Sequence, residues 1–180
     1  MRSRKGSCSN QFEATPTMPI LSLATSSPFV DGRQSRRALE VRAGVERYFD
    51  EQGHATLPEL TLPGGRRADI VALCPKGRVT IVEIKSSLAD LRADGKWPDY
   101  TQWCDELLFA TLPDVPCDEF PEETGLMLAD TYGAEIIRPA SAHKLVPAKR
   151  KAVHLAFARS SAMRLARCCA HAGVDGSSFE

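Results

Sequence analysis

"RRADIVALCPKGRVTIVEIKSS", Arg66 to Ser87, decides how this chain folds. Two runs rich in Val and Ile flank the turn signal Pro75-Lys76-Gly77, the pattern of two strands joined in a hairpin. Three charges interrupt the runs: Asp69, Glu83 and Lys85. Strand side chains alternate between faces, so Val79, Ile81, Glu83 and Lys85 share one face and Thr80, Val82 and Ile84 the other. In a hairpin, Asp69 meets the Glu83–Lys85 pair where the strands diverge. Adjacent carboxylates repel, and burial disfavours both charges. A divalent cation relieves both costs, and hard oxygen ligands suit Mg²⁺ or Mn²⁺. A lysine beside them can orient an attacking water or steady a developing phosphorane charge. Glu83-x-Lys85 alone is also what a solvated sheet face or a guarded edge strand presents. Asp69 on the preceding strand, within an apolar context, turns the pattern into a candidate site.

The neighbouring segments supply a frame. Val41, Val45 and Tyr48 recur at helical spacing from about Gln34 onward, and Gly53 suits the helix end. "ATLPELTL" reads as a strand before the two already quoted, with "PGG" as the turn. The loop "SLADLRADGKWP" leads to Pro98, which opens a second helix through "DYTQWCDELLFATL". "TGLMLAD" and "AEIIRPA" read as short strands, and "PAKRKAVHLAFARSSAMRLARCCA" as a long closing helix. The order is α-βββ-α-ββ-α, an α/β mixed sheet flanked by helices.

Composition narrows the function classes. The chain has 180 residues, enough for one domain with a real core, and its formal net charge is zero. Attraction to nucleic acid therefore has to come from local patches. No apolar run approaches the roughly 18 residues of a membrane span. The six cysteines form no CxxC pair and the four histidines show no ligand spacing, so neither is assigned to a metal. A reducing, cytoplasmic compartment follows. Residues 1–32, rich in Ser, Thr and Pro, are expected to be a poorly ordered extension. The Arg and Ser content of residues 1–29 with one acid, Glu13, resembles a transit peptide, but a plain tail is the simpler reading, and Met18 offers an alternative start. The domain is expected over 33–170, with a flexible tail over 171–180.

Asp69 followed by Glu83-Ile84-Lys85 at the end of the next strand resembles the PD-(D/E)XK nuclease signature. Restriction endonucleases and Holliday-junction resolvases share it. Ala68 stands where many members carry proline. Over about Arg33 to Arg167, "GRRADIVAL", "VEIKSS", "RADGKWPDY", "WCDELLFA", "ETGLMLADTYGAEIIR" and "PAKRKAVHLAFAR" resemble the MmcB family, bacterial proteins associated with DNA repair. The resemblance implies a restriction-endonuclease-like fold, a nucleoid-associated role, DNA as partner and other repair proteins as further partners. It leaves open which DNA structure is cut, and whether the protein cuts or serves as an inactive DNA-binding or adaptor module.

Further residues are candidates of lesser weight. Superfamily members often carry a glutamate on the first helix, but Glu40 and Glu46 lie well off the apolar stripe. A two-residue hairpin would turn Glu59 away from Asp69, and a bulge at Gly64 or Gly65 would bring it back. Tyr100, Gln102 and Asp105 are candidate supports of the site from the expected second helix. Lys96 and Trp97 are candidate DNA contacts on a loop, although a tryptophan there also suits packing. The stretch from Asp114 to Glu123 has five acids and no base, and reads as a solvated loop. From Ser141 to Ala170 there is no acid at all. With Leu155, Ala158, Ala162, Leu165 and Cys169 taken as the core stripe, Arg150, Arg164 and Arg167 fall opposite it as candidate phosphate contacts.

Overall fold

The computed structural model describes residues 35–173. The expected extension over 1–32 lies outside these residues. Helix α1 (Arg36–Glu51) starts at Ser35, whose hydroxyl accepts from the Ala38 N–H, and ends where Gly53 takes φ 70°. Strands β1 (Ala55–Thr61), β2 (Arg67–Leu73) and β3 (Val79–Ile84) follow, then two short helices, α2 (Leu88–Ala93) and α3 (Pro98–Thr101). Strand β4 (Glu106–Thr111), a 3₁₀ turn at Cys117–Glu119, β5 (Gly125–Ala129), β6 (Ala134–Arg138) and α4 (Pro147–Ala172) complete the order. The six strands form one sheet in sequence order. β3, β4 and β5 run parallel, and the remaining pairs are antiparallel. The α/β class, the mixed sheet and its flanking helices match the sequence reading.

One segment departs from it. "DYTQWCDELLFATL" is not one helix: a single turn at Pro98–Thr101 gives way to β4. Leu107 to Thr111 are all buried, because β4 sits between β3 and β5 with both faces covered. A buried parallel strand carries a continuous apolar run, which a helical segment can imitate. The order thus gains a strand between the expected second helix and the last two strands.

Each face of the sheet has its own core. On one face Val41, Val45 and Phe49 of α1 pack on Ile70, Val82, Leu108 and Met127, each such side chain contributing about 1.5–3 kcal/mol by leaving water. α1 can lie this close because of Gly44: a Cβ there would stand 2.1 Å from the Asp130 carbonyl oxygen. On the other face Val153 and Phe157 of α4 cover Leu57, Val71, Val79 and Ile81.

The phase of α4 is the second correction. Val153 and Phe157 are its buried residues, whereas Leu155 and Leu165 of the expected core stripe point outward. Alanines occupy both sides of the helix, so apolar spacing alone supports either phase. The inward side carries Arg150 and Arg164, and each meets a specific need. Arg150 pairs with both oxygens of the buried Asp105, at 2.6 and 2.7 Å. Arg164 donates to the carbonyls of Pro58 and Glu59, filling acceptors that the edge strand β1 would otherwise present to solvent. Both guanidiniums, expected as phosphate contacts, are thus engaged within the fold, whereas Arg167 is exposed. α4 runs through Ala172, into the stretch expected from residue 171 to be a tail, and Gly173 takes the left-handed position at φ 65°; residues 174–180 lie outside the described residues.

Candidate functional site

The site forms at the C-terminal end of β3, where β2 and β3 part. Their paired register ends at Ile70–Val82, leaving Asp69 opposite Glu83. Side chains take over from the ladder there. The Asp69 N–H donates to Glu83 Oε1 at 3.2 Å, and the Ile84 N–H donates to Asp69 Oδ2 at 2.8 Å. One oxygen of each carboxylate remains outside these two bonds. The Lys85 N–H donates to the Ala110 carbonyl, and the Thr111 hydroxyl donates to the Lys85 carbonyl at 2.7 Å. Strand β4, misread in the sequence, therefore fixes the backbone of the lysine.

Asp69, Glu83 and Lys85 line one open cleft of about 440 Å³ with Asp90, Asp94 and Tyr100. Glu83 and Lys85 are buried. Lys85 Nζ lies 2.7 Å from Asp94 Oδ2 and 3.9 Å from Glu83 Oε2. Burial, with the Asp69 charge next in weight, pushes the Glu83 carboxyl up to about 9. Burial likewise raises Asp69 to about 6, against the Ile84 N–H and Lys85, which lower it. The two groups titrate as a pair, and near neutrality the pair is short of full ionisation. Burial works to lower the Lys85 ammonium, but the Asp94 bond and the surrounding carboxylates win and raise it. Lys85 is thus a cation held in place. Asp94 is held below the ordinary carboxylate range, since bonds from Lys85 and the Lys96 N–H outweigh its burial.

The other sequence candidates divide. Tyr100 reaches the cleft, and its hydroxyl donates to the Arg67 carbonyl at 3.0 Å. Gln102 does not; it accepts from Lys149. Asp105 stands beside Val79, four residues along β3 from Glu83 and so about 13 Å away. It accepts from the Val79 and Leu145 N–H groups as well as Arg150, which makes it a structural anchor. Glu59 comes opposite Asp69 without the two-residue hairpin. A three-residue loop with Gly65 at φ 84°, closed by bonds between Leu62 and Arg66 and from the Gly65 N–H, shifts the register. Glu59 itself takes φ 52° and ion-pairs with Arg67. Its charge adds to the rise at Asp69. Glu40 and Glu46 pair with Arg36 and Arg42 along α1. Trp97 packs edge-on to Phe109 with centroids 6.2 Å apart and is half-buried, so it serves the core; Lys96 is exposed.

Asp94 and Asp90 were missed in the sequence. They stand four apart in "ADLRAD", the spacing of one helix face, and α2 turns both toward the cleft.

A family model described as DNA repair protein MmcB-like matches residues 25–172. The chain belongs to the MmcB-like family. Among solved structures, a protein of unknown function from Silicibacter pomeroyi is similar to this MmcB-like chain. The two share 37% identity and a TM-score of 0.74, over 82% of this chain and 99% of that one. No curated protein matches. Membership of the family associates the MmcB-like chain with DNA repair. Among its described residues, no helix is long and apolar enough to cross a membrane.

Proposed function

We propose that this MmcB-like protein hydrolyses DNA phosphodiesters at the Asp69–Glu83–Lys85 cleft, as a member of the PD-(D/E)XK nuclease superfamily. One observation carries the reading: the buried Glu83 carboxylate and the part-buried Asp69 share an open cleft with the buried Lys85, an arrangement that is costly unless it serves a charge brought from outside. The donor set fits Mg²⁺ or Mn²⁺. Asp69 and Glu83 offer hard oxygens, and such ions are commonly held by one or two carboxylates plus water and substrate phosphate. When bound, the ion would make water a nucleophile near neutral pH and offset charge on the phosphate. Asp69 and Glu83 would hold it. Lys85, fixed by β4 behind and Asp94 beside, would direct its remaining N–H groups at the attacking water and the crowded phosphorus oxygens. Its raised pKa suits a fixed cation and does not suit a neutral base.

An inactive DNA-binding or adaptor module is the second reading. The observation in its favour is that no cluster of three or more His, Cys, Asp or Glu side chains able to hold a metal forms among the described residues. Incubation of the purified protein with duplex, nicked, flapped and branched DNA, each with Mg²⁺ or Mn²⁺, separates the two. Cleavage that Glu83→Gln abolishes supports hydrolysis. DNA binding without cleavage, and without Mn²⁺ uptake by calorimetry, supports the adaptor.

A further inference from the structure

Helix α4 covers the sheet with only part of its surface. Its 26 residues span about 39 Å, yet Val153 and Phe157 are its buried side chains. On the opposite side Leu155, Met163 and Leu165 are 58%, 52% and 59% exposed. Leu155, Ala158, Ala162 and Leu165 follow one another at spacings of three, four and three, the seam of a helix that packs on another helix. Ala158, Ala162 and Ala166 keep that seam shallow, so a second helix can approach closely. At its N-terminal end lies a mostly apolar cavity of about 650 Å³, lined by Leu145, Pro147, Lys151, His154 and Leu155. Val146 beside it is 54% exposed.

The charge around this seam has one sign. No acid occurs from Ser141 to Ala170. Arg150 and Arg164 are committed inward, which leaves exposed Lys144, Lys151, Arg159 and Arg167 as its rim. An apolar centre with a cationic rim matches an occupant of the reverse charge. A second copy of α4 would set base against base. Duplex DNA would leave Leu155, Met163 and Leu165 without apolar contact. A bilayer surface calls for bulky Trp, Phe and Leu across a broad face, and this face is largely alanine.

We infer that the outer face of α4 is a docking surface for an acidic amphipathic helix of a partner protein, with a large apolar side chain of that helix seated in the cavity beside Leu155. The inference stands apart from cleavage at the carboxylate cleft.

The test uses the full chain and a labelled peptide of about 18 residues, with leucines at i, i+3, i+4 and i+7 and glutamates between them. Its scrambled isomer has the same charge and no apolar face. Fluorescence anisotropy should give a Kd of about 1–50 µM for the amphipathic peptide and at least about tenfold weaker binding for the isomer. Leu155→Glu with Leu165→Glu should weaken the amphipathic peptide at least about tenfold and leave the melting temperature unchanged, since both side chains face solvent. Equal binding of the isomer would reduce the face to plain electrostatics and overturn the inference, as would failure to bind or undiminished binding by the double variant. It is equally overturned if light scattering finds a dimer that the double variant dissolves. Duplex DNA or phosphatidylglycerol vesicles whose binding alone depends on Leu155 and Leu165 would reassign the face to those ligands.

Discussion

The Lys85 ammonium is bonded to Asp94, 2.7 Å away, and not to Glu83, its neighbour on the same strand face at 3.9 Å. Asp94 is the C-cap of α2 and accepts the Lys96 N–H through its other oxygen, so it is itself fixed. Asp94→Asn removes the charge and leaves the lysine free to swing toward Glu83. If the cleft hydrolyses DNA, kcat should fall by up to about 100-fold, the cost of misplacing a reacting group by roughly an ångström. Mn²⁺ affinity should hold, because Asp69 and Glu83 are untouched, and Asp94→Glu should restore part of the rate. The ¹⁵N signal of the Lys85 ammonium, slowed in exchange by its buried partner, should vanish in Asp94→Asn whether or not the protein cleaves. A signal that persists unchanged would show that Asp94 does not hold Lys85.

Lys85 can be removed while its stem is kept. Lys85→Met fills the space beside Phe109, whose ring centroid is 6.0 Å from the native Nζ. Cleavage should fall by about 10²–10³-fold with DNA affinity nearly constant, because the lost interaction belongs to the transition state. Single-turnover rates alongside filter binding make the comparison. Cleavage at the wild-type rate would remove Lys85 from the reaction.

The carboxylate pair gives stability an unusual pH dependence. Folding raises Glu83 to about 9 and Asp69 to about 6, both because of burial. The folded protein therefore binds more protons than the unfolded chain above about pH 4, so this contribution is full below that point and is lost as pH rises through about 6 and about 9. The depressed carboxylates, Asp94 and Asp105, act in the opposite sense but only at and below the ordinary carboxylate range. Without divalent ions, the melting temperature should drop between about pH 5 and about pH 9. Glu83→Gln should flatten that drop and exceed wild type near pH 9. Mn²⁺ should raise the melting temperature of wild type more at high pH than at low, since ligation displaces protons.

The hairpin at Pro75–Gly77 and the alternation through β3 were legible because strand period and turn chemistry are local. That same alternation sets Glu83 and Lys85 on one strand face, and pairing in the hairpin brings Asp69 to meet them. The segment from Glu106 to Thr111 was not legible, since a short buried run has no period of its own and only its place between β3 and β5 makes it a strand. The phase of α4 was lost for a related reason. Alanines lie all round the helix, and the residues that decide its orientation are polar: Arg150 answers Asp105, and Arg164 answers the open carbonyls of β1. Such pairings reach 45 and more residues along the chain, where spacing rules carry no information.

Arg150 illustrates what that correction changes. Read as a phosphate contact, its loss would weaken DNA binding and spare the fold. In the structure it bonds both oxygens of Asp105 and the Gly77 carbonyl, and it ties α4 to the β2–β3 turn and to the start of β4. Arg150→Ala leaves the Asp105 carboxylate buried with only the Val79 and Leu145 N–H groups to satisfy it. Stripping one partner from a buried pair costs about 3–5 kcal/mol, and the partial exposure of Arg150 places this case at or below the lower end. Asp105→Ala should cost more, because two backbone donors and a guanidinium lose their acceptor together. Urea titrations of the three proteins near neutral pH would rank them: wild type, then Arg150→Ala, then Asp105→Ala. Arg167→Gln, on the exposed side, should match wild type in the same titration. If Arg150→Ala unfolds at the wild-type midpoint, the Asp105 pair contributes nothing and the guanidinium is again open to a role in binding DNA.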